Sequence, residues 1–360
     1  MSTTTPSRGI KPAAVAALVA SIIVATLVQL LPLSPTLSAS AHASSKIIRM
    51  AASATARAPV WFVAHGGPPT LFQTQHPAYK RWVDIGNEMR AAKLRGLVVL
   101  SAHWQAELGS SAAAGEKADP RAVEINVDEA NPLLYDYYNF PSHFYKLTLQ
   151  SSNPRSFSSL VADTLRTHGL TVTETRRGVD HGVFIPLKVA FKDELAPDSP
   201  FVVKTGVAED AGRDSLPEGV PLVQVSLPSE LSGSGREAAS ASLALGRALR
   251  SLREQGIGLM FGGQPVHNLR IAIRHFRSGA PVDPSTGAYP PESFAKAFSA
   301  AMSAAVLGKS SGKEQDNEAA REERVLGLVD NAVYKQAHPT DEHFLREFAI
   351  VAVRLTQIVC

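Results

Sequence analysis

Short apolar runs that end in histidine or glycine alternate with longer amphipathic stretches through most of this chain. The run Val60-Trp61-Phe62-Val63-Ala64 holds no polar position, as a strand covered on both faces requires, and gives way to His65-Gly66-Gly67-Pro68-Pro69. The glycines let the backbone turn sharply or approach a ligand, and the prolines stop the strand. From Pro77 to Leu94, the residues Tyr79, Trp82, Ile85, Met89 and Ala92 recur at helical spacing, with Lys80, Arg81, Asp84 and Glu88 between them. That periodicity predicts a helix. A second apolar run, Leu97 to Ala102, then leads into His103-Trp104. Strand, helix and strand joined by a crossover of this length predict a βαβ unit with parallel strands. His65 and His103 then share the carboxyl edge of the sheet, where open α/β sheets bind ligands.

The same punctuation continues. Val123 to Val127 and a short piece from Val172 predict strands, and Phe157 to His168 predicts a helix closed by Gly169. Arg176-Arg177-Gly178-Val179-Asp180-His181-Gly182 opens the apolar run Val183 to Phe191, where Pro186 stands early enough to begin a helix. His181 is expected on the preceding turn, beside the Asp180 carboxylate. Phe201 to Val203 and Val220 to Leu227 add strand material, and Glu237 to Gln255 predicts a helix with Leu243, Leu245, Ala248, Leu249 and Leu252 inward. Gly256 to Phe261 is a further central strand; it ends in Gly262-Gly263, and the following loop carries His267-Asn268-Leu269-Arg270. Helices are expected over 292–306 and from Glu322 to Ala332, before His338-Pro339-Thr340-Asp341-Glu342-His343 and the apolar segment Phe348 to Ile358. The pattern is that of an α/β fold. No repeat of fixed period and no phosphate-binding glycine motif is present.

Charge changes the picture at the N-terminus. Residues 1–12 carry Arg8 and Lys11 and no acid, and Ala13 to Leu33 carries no charge at all. Such a run can cross a bilayer as a helix of roughly 20 residues, and the basic flank predicts a cytoplasmic N-terminus. It reads as a signal anchor, or as a signal peptide cleaved near Ala41-His42-Ala43. The alternative is an upstream extension of a cytoplasmic enzyme whose functional start is Met50. The first two readings, a membrane-anchored or secretory-pathway protein, are preferred. Residues 34–58, rich in Ser, Ala and Thr, form a linker, so 1–58 precedes a catalytic domain at 59–360.

The 360 residues are 44% hydrophobic and 19% charged, with a formal net charge of +3 that comes partly from the N-terminal segment. No basic surface asks for a nucleic-acid partner. The single cysteine is Cys360, which excludes an intramolecular disulfide and argues against thiolate metal ligation. With 11 histidines, a transition-metal site here must be built from imidazole and carboxylate. Three or four imidazoles at one sheet edge make such a site the simplest account, and imidazole suits both Zn(II) and Fe(II). A serine hydrolase would need a nucleophile elbow, but Gly233-Ser234-Gly235 lies in a polar loop and follows no strand. The His-Glu-x-x-His of a zinc protease is absent. His42 falls in the linker, His76, His168 and His275 fall at helix ends or on exposed faces, and His143 is a weaker pocket candidate. Leu134 to Pro141 is rich in aromatics and reads either as a packed surface turn or as a pocket wall that stacks on a planar ring.

The strings His65-Gly66-Gly67-Pro68, Ser101-Ala102-His103-Trp104, Asp180-His181-Gly182, His267-Asn268-Leu269-Arg270 and His338-Pro339-Thr340-Asp341-Glu342-His343 occur in this order. Together they resemble the class III extradiol ring-cleavage dioxygenases, most closely the DOPA 4,5-dioxygenase-like branch. The likeness also takes in Tyr135 to Pro141 and Val220 to Leu227, and it spans about residues 59–355. It implies a single three-layer domain with a central, mostly parallel sheet and one mononuclear metal at the carboxyl edge of the strands. By position, His65, His103 and His267 would be the metal ligands, with Glu342 an alternative ligand or a cap of the last helix. His181 would be the catalytic acid/base, close enough to approach the metal, with Asp180 orienting its ring. Trp104, Tyr135 and Tyr138 would contact substrate. The implied activity is extradiol cleavage of a catechol-type ring by O2, with both oxygen atoms incorporated. Zn(II) has no accessible redox change, so Fe(II) is expected for activity and Zn(II) as another occupant. The partners are then a small catechol and O2, with membrane contact only through residues 13–33. The rival reading is a zinc-binding protein or a metal-dependent hydrolase on the same scaffold.

Overall fold

The computed structural model describes residues 57–107, 119–192, 216, 219–229, 235–307, 317–340, 343–344, 348–349 and 352. The expected strand Phe201 to Val203, the residue Glu342, the run 13–33 and most of Phe348 to Ile358 lie outside them.

The first strand, β1 (Val60–Ala64), is followed by a 3-10 turn, Pro68–Phe72, and by helix α1 (Pro77–Ala92). Pro77 suits the first turn of α1, and the His76 ring accepts the Ala78 N–H as its cap. The inward stripe of α1 is Tyr79, Trp82, Ile85, Gly86 and Met89, close to the periodic set read from the sequence. There follow β2 (Gly96–Gln105), β3 (Ala122–Asn126), β4 (Leu133–Leu134), α2 (Arg155–Thr167), β5 (Thr171–Thr175), β6 (Val179–Asp180) and α3 (His181–Ala190). The second half contributes β7 (Leu222–Leu227), α4 (Arg236–Glu254), β8 (Ile257–Gly263), α5 (Leu269–Ser278), α6 (Ser293–Leu307), α7 (Glu318–Leu326) and α8 (Tyr334–Ala337).

Six strands form one sheet in the order β1-β8-β2-β7-β3-β5. β1, β8, β2 and β7 run parallel, β3 meets β7 antiparallel, and β5 runs parallel to β3. β4 and β6 make a separate parallel pair. The sheet is therefore mostly parallel, as expected, with one refinement: β8 is inserted between β1 and β2. Every residue of β7 and of β8 is buried, including Gln224 and Ser226, whose polar side chains alternate with Val223, Val225 and Leu227 in β7.

Alternation sorts the sheet's side chains into two cores. Trp61, Val63, Leu97, Val99 and Met260 pack against α1 and α3, whereas Phe62, Val98, Leu100, Leu259 and Phe261 pack against α2 and α4. Sheet and flanking helices make three layers. A third cluster joins Ala238, Ala239 and Leu243 of α4 to Phe298, Met302, Tyr334, Phe344 and Phe348. α5 was not among the predicted elements. Leu269 and Ile273 on it are 56% and 46% exposed.

Two close approaches seat α3. A Cβ on Gly86 of α1 would overlap the Ala190 carbonyl, and one on Gly262 of β8 would overlap the Gly182 carbonyl. With hydrogen at those positions, α3 sits directly between α1 and the sheet, its first residue above the carboxyl edge.

Candidate active site

Strand alternation aims the first two histidines. Residues 61, 63 and 65 share one side of β1, and residues 97, 99, 101 and 103 share the same side of β2, facing α3. β2 continues past the expected end at Ala102 through Gln105, so His103 and Trp104 are strand residues. Trp82 donates its indole N–H to the Ala64 carbonyl (2.9 Å), and the His65 N–H donates to Gly263 O (3.0 Å). Both bonds fix the backbone on which the His65 ring is mounted.

His181 is the first residue of α3, rather than part of the preceding turn. Asp180 caps that helix, accepting the Gly182 N–H (3.0 Å). Its other oxygen receives Arg177 Nη1 (2.9 Å) and Gln224 Nε2 (2.6 Å), while Arg177 Nη2 donates to His103 O (2.9 Å). Asp180 is fully buried, and these donors replace the water it has lost. It therefore places the helix start, and the expectation that it orients the His181 ring is corrected. A Cβ on Gly182 would stand 2.5 Å from Ser101 Oγ and 3.0 Å from the His103 ring, so this position admits only glycine without a shift.

Donor nitrogens of His65, His103 and His181 lie within 4.8 Å of one another. Ring centroids are separated by 4.9 Å for His65–His103, 5.4 Å for His65–His181 and 4.1 Å for His103–His181. His343 approaches His103 at 5.0 Å and His65 at 5.7 Å, and His267 stacks on His343 at 3.3 Å with 7° between the planes. The structure brings His65, His103 and His181 together and places His343 beside them; His267, expected as the third ligand, is not in the group whose donor nitrogens converge and stacks on His343.

The outer nitrogens explain how the inner ones are presented. His65 Nδ1 lies 2.6 Å from the Gly66 carbonyl, which can only accept, so Nδ1 carries the hydrogen and Nε2 of the neutral ring keeps a lone pair. His181 Nδ1 lies 2.8 Å from Asp136 Oδ1, and His103 Nδ1 lies 3.8 Å from Asp136 Oδ2. Anchoring one ring nitrogen on a carbonyl or carboxylate is the usual support of a metal-ligating histidine. His65 Nε2 and His103 Nε2 face each other at 3.2 Å. Either one of the two carries a hydrogen shared with the other, or both turn lone pairs on a cation, and the spacing suits an ion at about 2.0–2.1 Å from each nitrogen. The residues fit a transition metal. Burial pushes the Asp136 carboxyl up, but the His181 hydrogen bond and the charges of His181 and His103 outweigh it and hold the group below the ordinary carboxylate value.

The loop before His267 is fastened from outside the sheet. His338 Nε2 meets Pro265 O at 2.8 Å, the His267 N–H donates to Ala337 O (2.9 Å), and Asn268 Nδ2 donates to Gln336 O (2.8 Å). His338 is itself buried among Phe298, Tyr334 and Phe344.

The three residues expected to meet substrate are placed differently from one another. Trp104, adjacent to His103 on β2, projects to the other face; it is 5% exposed, donates to Glu124 Oε2 (2.9 Å) and lies under the Arg177 guanidinium. Tyr135 donates its hydroxyl to Leu147 O (2.6 Å) and packs on Phe184. Tyr138 is 81% exposed. Sequence reasoning missed Asp136 and Tyr137 as separate actors, although both lie inside the aromatic string it singled out. Tyr137 sets its ring edge-on to His181 at 5.6 Å and donates to Phe144 O (2.6 Å); burial, then the neighbouring Tyr135, Tyr145 and Asp136, pushes its phenol up.

Comparison with known proteins gives a family match across this body. The family described as the catalytic LigB subunit of aromatic ring-opening dioxygenase matches residues 54–349. A 4,5-DOPA dioxygenase extradiol-like protein of Schizosaccharomyces pombe is 26% identical over 258 residues, covering 70% of this chain and 65% of that protein. The 4,5-DOPA dioxygenase extradiol of Beta vulgaris is 23% identical over 209 residues, 58% of this chain and 62% of that one. The Escherichia coli protein of the same name is 24% identical over 220 residues, 61% and 64% respectively. The chain spans just under two thirds of the length of these relatives. The crystal structure of an uncharacterized protein from Escherichia coli K12 shares the fold, with a TM-score of 0.50 at 21% identity over 84% of this chain and 91% of that one.

Proposed function

The chain belongs to the family of catalytic LigB subunits of aromatic ring-opening dioxygenases, and from that premise we propose that it cleaves a catechol-type ring extradiol to its hydroxyls with O2. The observation that carries the reading is the facing pair of Nε2 atoms on His65 and His103, with His181 beside them and the outer nitrogens of His65 and His181 hydrogen-bonded. His65, His103 and His267 would hold one metal ion, with His343 at the same edge. Bound Fe(II) supplies the redox-active centre that O2 chemistry needs and that Zn(II) lacks.

The chain's own residues then have separable tasks. The His181 Nε2, on a ring whose Nδ1 faces Asp136, takes a proton from a catechol hydroxyl and returns it to an oxygen as the ring opens. Burial of His65 and His181 keeps bulk water from competing for those protons. Trp104 and Tyr135 have their polar atoms engaged elsewhere, which leaves Tyr138 as our candidate for a ring that touches substrate at the mouth of the site. A DOPA-like catechol is the substrate class we favour, in keeping with the names of the relatives. The uncharged run 13–33 extends the proposal to a membrane-anchored or secretory-pathway protein. Among the described residues no helix is long and apolar enough to cross a membrane.

The direct test uses anaerobically purified protein loaded with Fe(II), mixed with a panel of catechols and air-saturated buffer. A yellow semialdehyde absorbance, with one O2 consumed per ring, is the expected result. Fully loaded protein that gives no colour and takes up no O2 across the panel would overturn the reading in favour of a zinc-binding protein or a metal-dependent hydrolase.

A further inference from the structure

Helix α5 (Leu269–Ser278) turns apolar residues to solvent, and we infer that it is a docking surface for an anionic lipid membrane. The inference goes beyond the proposed reaction and stands whether or not residues 13–33 cross a bilayer. Among the described residues seven large hydrophobic side chains are exposed, and four of them, Leu269, Ile273, Val282 and Tyr289, fall within 269–289. Scattered singly, such residues carry no meaning. Gathered on one helix and the loop behind it, they mark a surface that meets something apolar.

Helical spacing sorts the α5 side chains into three rows. Leu269, Ala272 and Ile273 are neighbours at intervals of three and four residues, and all three are exposed. Ile271 and His275 are half-buried on the side turned to the protein, where the His275 ring meets Glu292 Oε1 at 3.0 Å and the Tyr289 ring at 5.5 Å between centroids. Arg270, Arg274 and Arg277 form the third row, one turn apart, and all are exposed. Arg274 lies 3.7 Å from Glu292, while among the described residues no carboxylate pairs with Arg270 or Arg277. α5 itself contains no acidic residue. A surface helix of a soluble domain ordinarily faces its apolar row inward and its charges outward. Here both rows point outward, side by side.

That arrangement selects the partner. A helix whose apolar row is flanked by arginines lies in the plane of a membrane interface, with its apolar residues among the acyl chains and its cations against anionic headgroups. Tyr289, with an apolar body and a polar tip, suits the same headgroup level. A second copy of the chain fits less well, because a twofold contact through this patch brings two arginine rows together. α5 begins two residues after His267, so docking brings the loop that carries this histidine to the lipid surface.

The test follows α5 itself in the full chain, so that binding through residues 13–33 is not mistaken for it. Cys360→Ser removes the single cysteine, and Ala272→Cys then carries a polarity-sensitive fluorophore on the apolar row. A control chain carries the same fluorophore at Ser240→Cys, an exposed position of α4. Vesicles of phosphatidylcholine, alone or mixed with phosphatidylserine, contain nitroxide-labelled lipid as a quencher. Phosphatidylserine vesicles should shift the α5 emission to the blue and quench it, while the Ser240 label stays in water. High salt should release α5. Arg270→Gln together with Arg277→Gln should weaken the contact about 30-fold, roughly fivefold for each charge lost, and Ile273→Asp should abolish it. The changed side chains of α5 are exposed, so loss of contact reads docking and not unfolding. An α5 label that stays in water beside phosphatidylserine vesicles would overturn the proposal, whether or not the protein pellets with them. Equal quenching by pure phosphatidylcholine, or equal quenching of the two labels, would overturn it as well. Emission that turns blue without vesicles as protein concentration rises would assign the patch to a second copy and reject the membrane.

Discussion

His65 and His103 stand on the ends of buried parallel strands, whereas His267 follows a loop and His343 belongs to the C-terminal segment. The first pair takes its direction from register. A slip of one residue in β1 or β2 would turn the imidazole to the opposite face and expose a whole apolar set, which the two cores forbid. The second pair takes its direction from tertiary ties, chiefly His338 on Pro265 O and the His267 N–H on Ala337 O. Those ties lead to α8 and to the cluster around Phe298, Tyr334 and Phe344, a core that does not include the central strands. Two of the five imidazoles are therefore mounted by the sheet and two are held by a separate core, while His181 stands at the start of α3. The difference teaches that the two pairs can be damaged independently.

The largest effect should come from the sheet-borne pair. Replacing His65 or His103 by alanine removes one of the two Nε2 atoms that face each other at 3.2 Å. The expected outcome is protein that folds but retains no metal through gel filtration, read by elemental analysis. Stoichiometric metal in either variant would break the comparison, since the cluster would then not depend on the strands.

Next in size is Gly262→Ala. Its methyl group would be driven into the Gly182 carbonyl, forcing β8 and α3 apart just where His181 begins. Overpacking of this kind costs about 1–3 kcal/mol. With roughly 2–4 °C of Tm per kcal/mol for a larger domain, the loss is measurable by thermal unfolding. Metal affinity should fall with it. An unchanged Tm would mean that α3 is not clamped between α1 and the sheet.

A smaller and more selective effect is expected from His338→Phe. The ring volume is kept approximately, but the part-buried Pro265 carbonyl loses its partner, at up to about 1–3 kcal/mol, the cost of a fully buried acceptor left unsatisfied. The loop carrying His267 should loosen while β1 and β2 stay in place. Metal affinity should therefore drop less than in the His65 or His103 variants, and the His65 and His103 NMR signals should stay put. If those signals shift as far as the His267 signal, the two pairs are coupled after all.

The same division explains what could be read from the sequence. Strand-end histidines are legible because their signals are local: an apolar run, a histidine, then glycine. Helix boundaries came within a few residues for the same reason, as with Pro77–Ala92 and Arg236–Glu254. β2 runs on to Gln105 because, after a register shift beyond Leu100, its backbone pairs with β7 again at Gln105 and Leu227, which composition alone does not disclose. Asp136 was hidden because two-residue strands, β4 and β6, bring it to His181 across 45 positions of sequence. His343 was read only as a flank of Glu342, since its approach to His103 is created by packing in the third core. Asp180 misled for the opposite reason: adjacency to His181 suggested contact, yet a residue capping a helix spends its carboxylate on backbone N–H groups.

The smallest effect sharpens the comparison within the aromatic string. Tyr138 belongs to the same aromatic string as Tyr135 and Tyr137, but it is the member whose ring is mostly in solvent. Its neighbours use their hydroxyls to hold the loop, so their loss should lower stability as well as activity. Tyr138→Ala should leave the unfolding free energy within about 0.5 kcal/mol of wild type, as for other exposed positions. If its ring meets the catechol, the lost aromatic contact is worth about 0.5–1.5 kcal/mol. That raises KM by roughly 2–10-fold with kcat unchanged, the signature of binding lost equally from ground and transition states. A KM identical to wild type would remove Tyr138 from the substrate path and leave the string with one purpose, the anchoring of Asp136.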